Sequence, residues 1–315
     1  MIPISVCIIT KNEAENLDKC LAALSPYPFE LVVVDTGSAD NSKEVAAKYT
    51  DKVFDFTWCD DFSAARNFAA ECASNDFIFP IDTDEILTAL NFEELQCAFS
   101  EHPKSVGHVT RLDFYEVDGD MQCITVMIER IYHKKYYHFE EPIHEQLCAT
   151  SDIPYTYYET SIVIDHSGYL GSREHLLEKA ERNLKLLQRE VEKNPDNPYL
   201  YFQIAQSHML MRDHERACDY MREALLRNPP PKTAWTRQLV CNFGNLLIDF
   251  RRPQEALPLL SYYEYYNDNM DYLCMIGLVL MHVGQPLKAL PEFVKAITAS
   301  SRDSIEPERP SYYVG

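Results

Sequence analysis

The sequence lacks an excess of positive charge. Its 315 residues contain 29 Lys and Arg against 49 Asp and Glu, which gives a formal net charge of −20. The imbalance lies in residues 1–172, with 11 basic and 30 acidic side chains, whereas residues 173–315 hold 18 and 19. Because binding to a polyphosphate backbone normally depends on a basic surface, this charge disfavours nucleic acid as a partner. It favours metal-assisted handling of a small phosphate compound.

Cysteine motifs, long apolar runs and a targeting pattern are also missing. The ten cysteines form no C-x-x-C pair, so neither a zinc site nor a redox motif is predicted. No apolar run approaches the ~20 residues that a membrane span needs. The stretch Met1–Ser5 lacks the basic region of a secretion signal. The sequence therefore predicts a cytoplasmic protein with reduced thiols and no transmembrane segment.

The first half contains three strongly apolar runs, each followed by a polar loop. These runs are Ile4–Ile9, Leu31–Val34 and Phe77–Ile81, and helical patterns follow the first two. Alternation of strand, polar loop and helix is typical of a parallel α/β sheet. Ligands bind such sheets outside the carboxyl ends of the strands, so the three loops are expected at one ligand-binding edge.

An acidic turn follows the third run. In an extended chain, side chains two apart share a side, so Asp82 and Asp84 can converge on one point. Two close carboxylates repel each other, and a hard divalent cation that also holds a diphosphate relieves this repulsion. A solvated turn at the end of a strand is the alternative interpretation of the same residues.

Further elements follow in the chain. A helix is predicted over Phe62–Ala70 and another over Asn91–Phe99. β-rich runs at Val106–Phe114, Met121–Tyr132 and Ile162–Ile164 are predicted as antiparallel additions to the sheet. Arg66, in the opening turns of the first helix, suits phosphate oxygens, although an exposed helix arginine explains it equally well.

From residue 173 the sequence becomes helical and repeats itself. Arg173–Glu192 is one long helical pattern, and a small residue then precedes an alanine by twelve positions three times: Ala205 and Ala217, Gly244 and Ala256, Gly277 and Ala289. Successive alanines lie 39 and 33 residues apart, near the 34-residue period of tetratricopeptide repeats. We predict helical repeats in which small residues allow helices to approach closely. Aromatic runs such as Tyr262–Tyr266 are interpreted as repeat core, with an exposed ligand platform as the alternative.

The first half resembles family 2 glycosyltransferases of the GT-A fold, over residues 4 to about 185. The closest subgroup is similar to bacterial glucosyltransferases of the lipopolysaccharide-core type, and peptide S-glycosyltransferases have a related layout. Six motifs in the family's order carry the resemblance: Val6–Glu13, Val33–Asp40, Phe62–Asn67, Ile81–Glu85, Arg130–Tyr132 and Ile143–Leu147.

The resemblance implies a role for particular residues in binding a nucleotide sugar. Residues near the base and ribose would be Thr10, Asn12, Glu13 and Asp35. Gly37 would let the backbone pass close to the nucleotide. Those near the diphosphate, ribose or sugar would be Arg66, Asp82 and Thr83.

The resemblance also implies a metal site and a base. Asp82, Asp84 and His166 would bind Mn²⁺ or Mg²⁺, although His166 paired with its neighbour Asp165 is the alternative. The metal and Arg130 or Arg66 would neutralise the departing diphosphate. Glu145 would be the general base of an inverting reaction, with His144 as the second candidate.

We therefore expect a GT-A domain in residues 1–172, a helical linker with tetratricopeptide-like repeats in 173–300 and a flexible tail in 301–315. The expected activity is metal-dependent inverting transfer from a nucleotide sugar to a saccharide, lipid-linked or peptide acceptor, with a UDP-sugar as the expected donor and a homodimer formed through the repeats. One rival is an inactive nucleotide-binding scaffold with a peptide-binding repeat array. Another is a sugar nucleotidyltransferase, which normally opens with a glycine-rich loop, whereas Thr10–Glu13 has no glycine.

Overall fold

The computed structural model describes residues 3–117, 120–150, 153–168 and 173–300. The chain divides into two compact units, with the boundary between residues 172 and 173. The tail expected at 301–315 lies outside the described residues.

The described residues of the first unit form ten strands and four helices. Eight strands form one sheet, in the order β3-β2-β1-β4-β7-β6-β10-β5, and β8 and β9 form a separate hairpin. The strands are β1 (Ile4–Thr10), β2 (Glu30–Asp35), β3 (Val53–Asp55), β4 (Phe77–Pro80), β5 (Glu85–Ala89), β6 (Val106–Val117), β7 (Asp120–His133), β8 (Tyr137–Glu140), β9 (Gln146–Ala149) and β10 (Tyr157–His166). The helices are α1 (Ala14–Leu24), α2 (Ser42–Ala46), α3 (Phe62–Cys72) and α4 (Phe92–Glu101).

The parallel part of the sheet consists of β1 to β4. β1 lies between β2 and β4 and runs parallel to both, with Thr10 opposite Asp35. These strands are almost wholly buried and rich in β-branched residues, as expected for a parallel sheet covered on both faces. Their carboxyl ends therefore meet at one edge, where the loops after β1, β2 and β4 begin.

Pro80 is the last residue of β4. Pairing between β4 and β7 ends at Ile78 opposite Tyr132, two residues before the proline. On the other side the contact with β1 continues, because the Ile81 N–H donates to the Cys7 carbonyl over 3.1 Å. Proline has no N–H with which to extend a ladder.

The second half of the sheet is mixed. β6 and β7 form a long antiparallel hairpin, as predicted. β10 runs parallel to β6 and antiparallel to β5, so the expectation that it adds only antiparallel pairing was wrong. A parallel neighbour requires a long crossover, and the chain through the β8–β9 hairpin supplies one.

The second unit is entirely helical in its described residues. Its helices are α5 (Arg173–Lys193), α6 (Pro198–Leu210), α7 (His214–Leu226), α8 (Ala234–Asp249), a 3₁₀ segment (Pro253–Tyr262), α9 (Tyr263–Tyr266), α10 (Met270–His282) and α11 (Pro286–Ser300). Side chains cap four of them by accepting a hydrogen bond from the first turn: Asn197, Asp213, Thr233 and Asn269.

Small residues lie where these helices pack. A Cβ added at Gly277 would come within 2.5 Å of the Phe293 ring, and one at Gly244 within 2.3 Å of the Met275 sulfur. Ala205, Ala217, Ala256 and Ala289 are fully buried. Tyr266 belongs to the core cluster, which supports the core interpretation of its aromatic run. The predicted fold class, an α/β domain followed by an all-α repeat region, is confirmed.

Candidate active site

The ends of β1 and β2 form one side of the site. The Thr36 N–H donates to the Thr10 carbonyl over 2.9 Å, which holds the two strand ends together. Asp35 Oδ1 accepts hydrogen bonds from the N–H groups of Gly37 and Ser38, each over 2.9 Å. Gly37 has φ +103°, a conformation that glycine adopts without strain.

Two buried oxygen atoms here have no hydrogen-bond partner within the described structure. They are Thr10 Oγ1 and Asp35 Oδ2, from residues that are 4% and 1% exposed. A buried polar atom without a partner is costly, so its presence in a native fold calls for an explanation such as a ligand. These two atoms give the strand ends an acceptor and a hydroxyl for a polar ligand.

Asn12 and Glu13 join the first loop to the second. Asn12 Oδ1 accepts from the Ala39 N–H over 2.7 Å, and the Asn12 N–H donates to Ser38 Oγ over 2.9 Å. The Glu13 N–H donates to Ser42 Oγ over 3.1 Å. Asn12 adopts φ +55°, which asparagine tolerates better than most residues. Both residues therefore shape the loops that surround Thr10 and Asp35.

Asp82 lies between two arginines. Its Oδ1 accepts from Arg66 Nη2 over 2.8 Å, and its Oδ2 accepts from Arg130 Nη2 over 3.2 Å. Arg66 projects from α3, whose start is capped by Asp61, and Arg130 projects from β7. Both arginines are buried, 5% and 1% exposed, so the surface-arginine alternative for Arg66 is wrong.

Glu85 contacts both Arg130 and the backbone of the acidic turn. Its Oε1 accepts from Arg130 Nη2 over 2.6 Å, and its Oε2 accepts from the Asp82 N–H over 2.9 Å. The Glu85 N–H donates to the Asp82 carbonyl over 3.1 Å, so Thr83 lies in a closed turn between them. Glu85 is fully buried, and Arg111 Nη1 approaches the same Oε1 at 3.6 Å.

Glu145 reaches the network from the segment before β9. Its Oε1 forms an ion pair with Arg66 Nε, and the residue is 4% exposed. The neighbouring His144 is half-buried and adopts φ +56°. Residues other than glycine rarely adopt a positive φ, and those that do are found preferentially at functional sites. The structure thus places Glu145 beside Arg66, and the turn that carries His144 directs it there.

Asp84 and His166 form the far end of the network. Their Oδ2 and Nε2 atoms lie 3.6 Å apart, and His166 Nδ1 lies 2.8 Å from Asp113 Oδ1. Arg111 holds Asp113 through two contacts, of 2.7 and 3.1 Å. His166 therefore pairs with Asp113 on β6 rather than with its neighbour Asp165, which as an adjacent strand residue points to the opposite face.

The result is a continuous network of charges, buried except at Asp82 and Asp84, whose side chains are 24% and 23% exposed. Its five carboxylates are Glu145, Asp82, Glu85, Asp113 and Asp84, its three guanidinium groups are those of Arg66, Arg130 and Arg111, and its imidazole is His166. With a neutral imidazole, the carboxylates outnumber the cations by two. A divalent cation would balance this charge.

The pKa values of the dyad at the far end are shifted in opposite directions. Burial would lower the pKa of His166, but its hydrogen bonds to Asp113 and Asp84 outweigh that effect and raise it to about 9. Burial would raise the pKa of Asp113, but its contacts with His166 and Arg111 lower it. Without a cation, the site thus attracts a proton to the imidazole, as a surplus of negative charge requires.

Gly168 lies against the Asp84–His166 pair at the far end. A Cβ added at Gly168 would lie 2.4 Å from His166 Nε2 and 2.6 Å from Asp84 Oδ2, so only glycine leaves that space open. Carboxylate oxygen and imidazole nitrogen both bind Mn²⁺. No group of three or more His, Cys, Asp or Glu side chains in the described ranges has metal-binding geometry. Asp84 and His166 therefore fit a cation whose other ligands come from substrate or water, as is usual for nucleotide-bound metals.

Sequence reasoning missed Glu85, Arg111 and Asp113 as site residues. Glu85 stood inside a quoted motif without a role. Arg111 and Asp113 stand two apart on β6, a spacing that places two charged side chains on one face of an otherwise apolar strand. The i, i+2 spacing of Arg111 and Asp113 was the available signal, but the sequence did not show that this face of β6 lies beside His166.

Comparison with known proteins identifies the family of the first unit. Residues 5–152 match the model of glycosyl transferase family 2, and residues 198–231 match a tetratricopeptide repeat model. The first unit is a family 2 glycosyltransferase domain. The glycosyltransferase domain is thus followed along the chain by tetratricopeptide-like repeats, as the sequence predicts.

Several curated proteins are similar to more than half of this chain. A TPR repeat-containing protein of Synechococcus elongatus is 28% identical over 73% of this chain and 58% of its own length. The SPbeta prophage-derived glycosyltransferase SunS of Bacillus subtilis is 26% identical over 69% of this chain and 52% of its own. An uncharacterized glycosyltransferase of Rickettsia prowazekii is 27% identical over 57% and 65%. The chain thus spans between half and two thirds of the length of these relatives.

Of the helices in the described ranges, none combines the length and the apolar character required to cross a membrane. All ten cysteines are free thiols.

Proposed function

We propose that the chain is an inverting glycosyltransferase that uses a divalent cation and a nucleotide-activated sugar, with UDP as the leaving group. The observation that carries this proposal is the charged network from Glu145 to Asp84, which ends where Asp84 Oδ2 and His166 Nε2 approach within 3.6 Å beside Gly168. A domain of this family supplies the reaction class.

The strand ends of β1 and β2 would hold the nucleoside. Asp35 Oδ2 is buried without a partner among the described residues and suits an N–H of a uracil ring. Thr10 Oγ1 can hydrogen-bond to the base or ribose beside it. Asn12, Glu13 and Gly37 shape the loops at this end, and Thr83 lies in the turn near the diphosphate.

The cation would be held by Asp84 and His166, as Mn²⁺ or Mg²⁺. When bound it would neutralise the diphosphate that leaves. Asp82 has both carboxylate oxygens engaged by arginines, so its main task would be to position Arg66 and Arg130, and direct contact with the cation remains a prediction. Arg66 Nη1 has no hydrogen-bond partner within the described ranges, and it would bind a diphosphate oxygen.

Glu145 would act as the general base. Arg66 Nε holds its Oε1, which fixes the carboxylate and leaves Oε2 to accept the proton of an acceptor hydroxyl or thiol. His144 is the second candidate. Departure of the nucleotide with attack from the opposite face inverts the anomeric centre and needs only one base.

The test is metal-dependent release of nucleoside diphosphate from a panel of nucleotide sugars with Mn²⁺. We expect Asp84→Ala to abolish turnover and Glu145→Gln to retain nucleotide binding but lose at least 100-fold in transfer, because one base typically contributes 10²–10⁴-fold. Glu93→Ala, an exposed carboxylate in the first turn of α4, is the matched control. Full activity of both site variants would refute the residue assignments.

A catalytically inactive scaffold is the competing function. It predicts that the protein binds nucleotide or peptide without turnover under any condition. Binding of UDP together with absence of hydrolysis and transfer across the panel would favour it over the enzyme.

The repeat unit would bind the acceptor, whether saccharide, lipid-linked or peptide, and join two copies of the chain. On α11, the apolar side chains Leu287, Leu290, Val294 and Ile297 repeat with alternating steps of three and four residues and are 57% to 88% exposed. Pairing this stripe with its copy would bury about 1,000 Å² in total, near the lower limit for a specific interface.

Sedimentation equilibrium tests the homodimer. We expect a dimer for the wild type and a monomer for Leu290→Glu, whereas Lys288→Glu on the same helix keeps the dimer. A wild-type monomer at 50 µM would refute this part of the proposal.

The free cysteines agree with a reducing compartment, and we propose the cytoplasm.

A further inference from the structure

Asp113 is a buried carboxylate of the glycosyltransferase domain to which no motif assigned a role. It lies on β6 directly opposite His166 on β10 in the strand register, and it is 7% exposed. A carboxylate in the interior is stable only when it is paired and hydrogen-bonded. Its partners are Arg111 and His166.

The contact with His166 determines which ring nitrogen faces the cation space. Asp113 Oδ1 lies 2.8 Å from Nδ1, so the carboxylate accepts a hydrogen bond from Nδ1–H. In the neutral ring the lone pair is then on Nε2, the atom that lies 3.6 Å from Asp84 Oδ2 and lines the space beside Gly168. This tautomer is the one that can bind a cation between His166 and Asp84.

Arg111 keeps Asp113 in place. Its guanidinium contacts both carboxylate oxygens of Asp113, at 2.7 and 3.1 Å, and extends to Glu85 at 3.6 Å. A two-point contact between a guanidinium and a carboxylate fixes orientation as well as position. Asp113 is thereby tied to the same network that holds the acidic turn.

We propose that Asp113 is a positioning residue that orients the His166 ring for the cation, with Arg111 as its anchor. This inference rests on the cation site of the proposed function. Asp113 does not touch substrate or cation itself. Carboxylates that orient a metal-binding histidine in this way change metal affinity by 10–100-fold when they are removed.

Mn²⁺ binding by the full chain in the presence of UDP tests the inference, with free Mn²⁺ measured by electron paramagnetic resonance. We expect Asp113→Ala to weaken Mn²⁺ binding by 10–100-fold. Asp113→Asn should lose less, because its amide oxygen can still accept from Nδ1–H. Asp165→Ala, which removes the neighbouring carboxylate on β10, should stay within twofold of the wild type.

A second measurement separates positioning from a merely structural role. Affinity for UDP without metal should stay unchanged in Asp113→Ala, whereas a distorted site would lose both affinities. NMR of the histidine ring nitrogens, recorded without metal at about pH 10.5 where the imidazole is neutral, should show the Nδ1–H tautomer of His166 in the wild type and a mixture in the variant.

Two negative outcomes have different meanings. Wild-type Mn²⁺ affinity in Asp113→Ala, with metal binding intact in the parent, would overturn this inference alone. Absence of Mn²⁺ binding in the wild type would overturn the cation site of the proposed function and this inference with it.

Discussion

The two units of the chain use charge in opposite ways. The glycosyltransferase domain buries three arginines and several carboxylates, with Glu85 at 0% and Arg130 at 1% exposure. The repeat unit has an apolar core, and most ion pairs in its described residues join side chains three or four residues apart along the chain, such as the exposed pair Arg252 and Glu255. A buried ion pair is weak evidence for stability, whereas an apolar core stabilises directly. Under the proposed function, the first unit retains its internal charges for chemistry.

The largest expected effect concerns Arg130, at the centre of the buried network. Arg130→Ala leaves Glu85 without its closest cation, and breaking a buried pair costs about 3–5 kcal/mol of unfolding free energy. The chain has two tryptophans, Trp58 in the first unit and Trp235 in the second, so fluorescence of a Trp235→Phe parent follows the first unit during urea unfolding. Lys135→Ala, an exposed cation just after β7, is the control. A loss of unfolding free energy below 1 kcal/mol would show that the network tolerates Glu85 without the Arg130 cation.

A smaller effect is expected in the apolar core of the repeat unit. Gly277→Ala places a methyl group within 2.5 Å of the Phe293 ring, and overpacking of this kind costs about 1–3 kcal/mol, reduced by the ~1 kcal/mol preference of helices for alanine. Urea unfolding of a Trp58→Phe parent, in which Trp235 reports on the repeats, measures the change. Increased stability of Gly277→Ala would show that the helices separate without cost.

The smallest effect concerns Glu30, which is only partly buried. Burial would raise its pKa, but hydrogen bonds from Lys52, Ser5 and Ser74 outweigh it and lower the pKa to about 2. Since the folded-state pKa is below the unfolded value, the stabilisation is complete above about pH 4.5 and is lost as the pH falls through 2. We expect Glu30→Gln to cost about 1 kcal/mol at pH 7 and progressively less towards pH 2, measured by urea unfolding at each pH. If the loss of unfolding free energy in Glu30→Gln does not depend on pH, the lowered pKa of Glu30 is contradicted.

Sequence patterns predicted the strands and the acidic turn well, because these features are local. β1, β2 and β4 are apolar runs with clear ends, and Asp82 and Asp84 follow one of them at a spacing with a chemical meaning. The repeats were equally accessible, because the small residues recur at similar intervals.

What the sequence could not supply was long-range pairing. Arg111 and Asp113 became part of the site only because β10 lies parallel to β6, with His166 opposite Asp113. Asp113 and His166 are 53 positions apart in the sequence, and no periodic sequence pattern predicts a contact between them. The partner of His166 was therefore sought in adjacent Asp165, which was the wrong carboxylate.

Pro80 shows how much one absent atom can determine. The N–H that any other residue would offer at this position would point towards β7, since the Ile81 N–H next to it points towards β1. In the described residues the β4–β7 ladder has its last pair at Ile78 and Tyr132. Arg130, two residues before Tyr132 on β7, extends its guanidinium to Asp82 and Glu85. The backbone position that cannot donate towards β7 is thus followed at once by the acidic turn that Arg130 of β7 holds through side-chain hydrogen bonds.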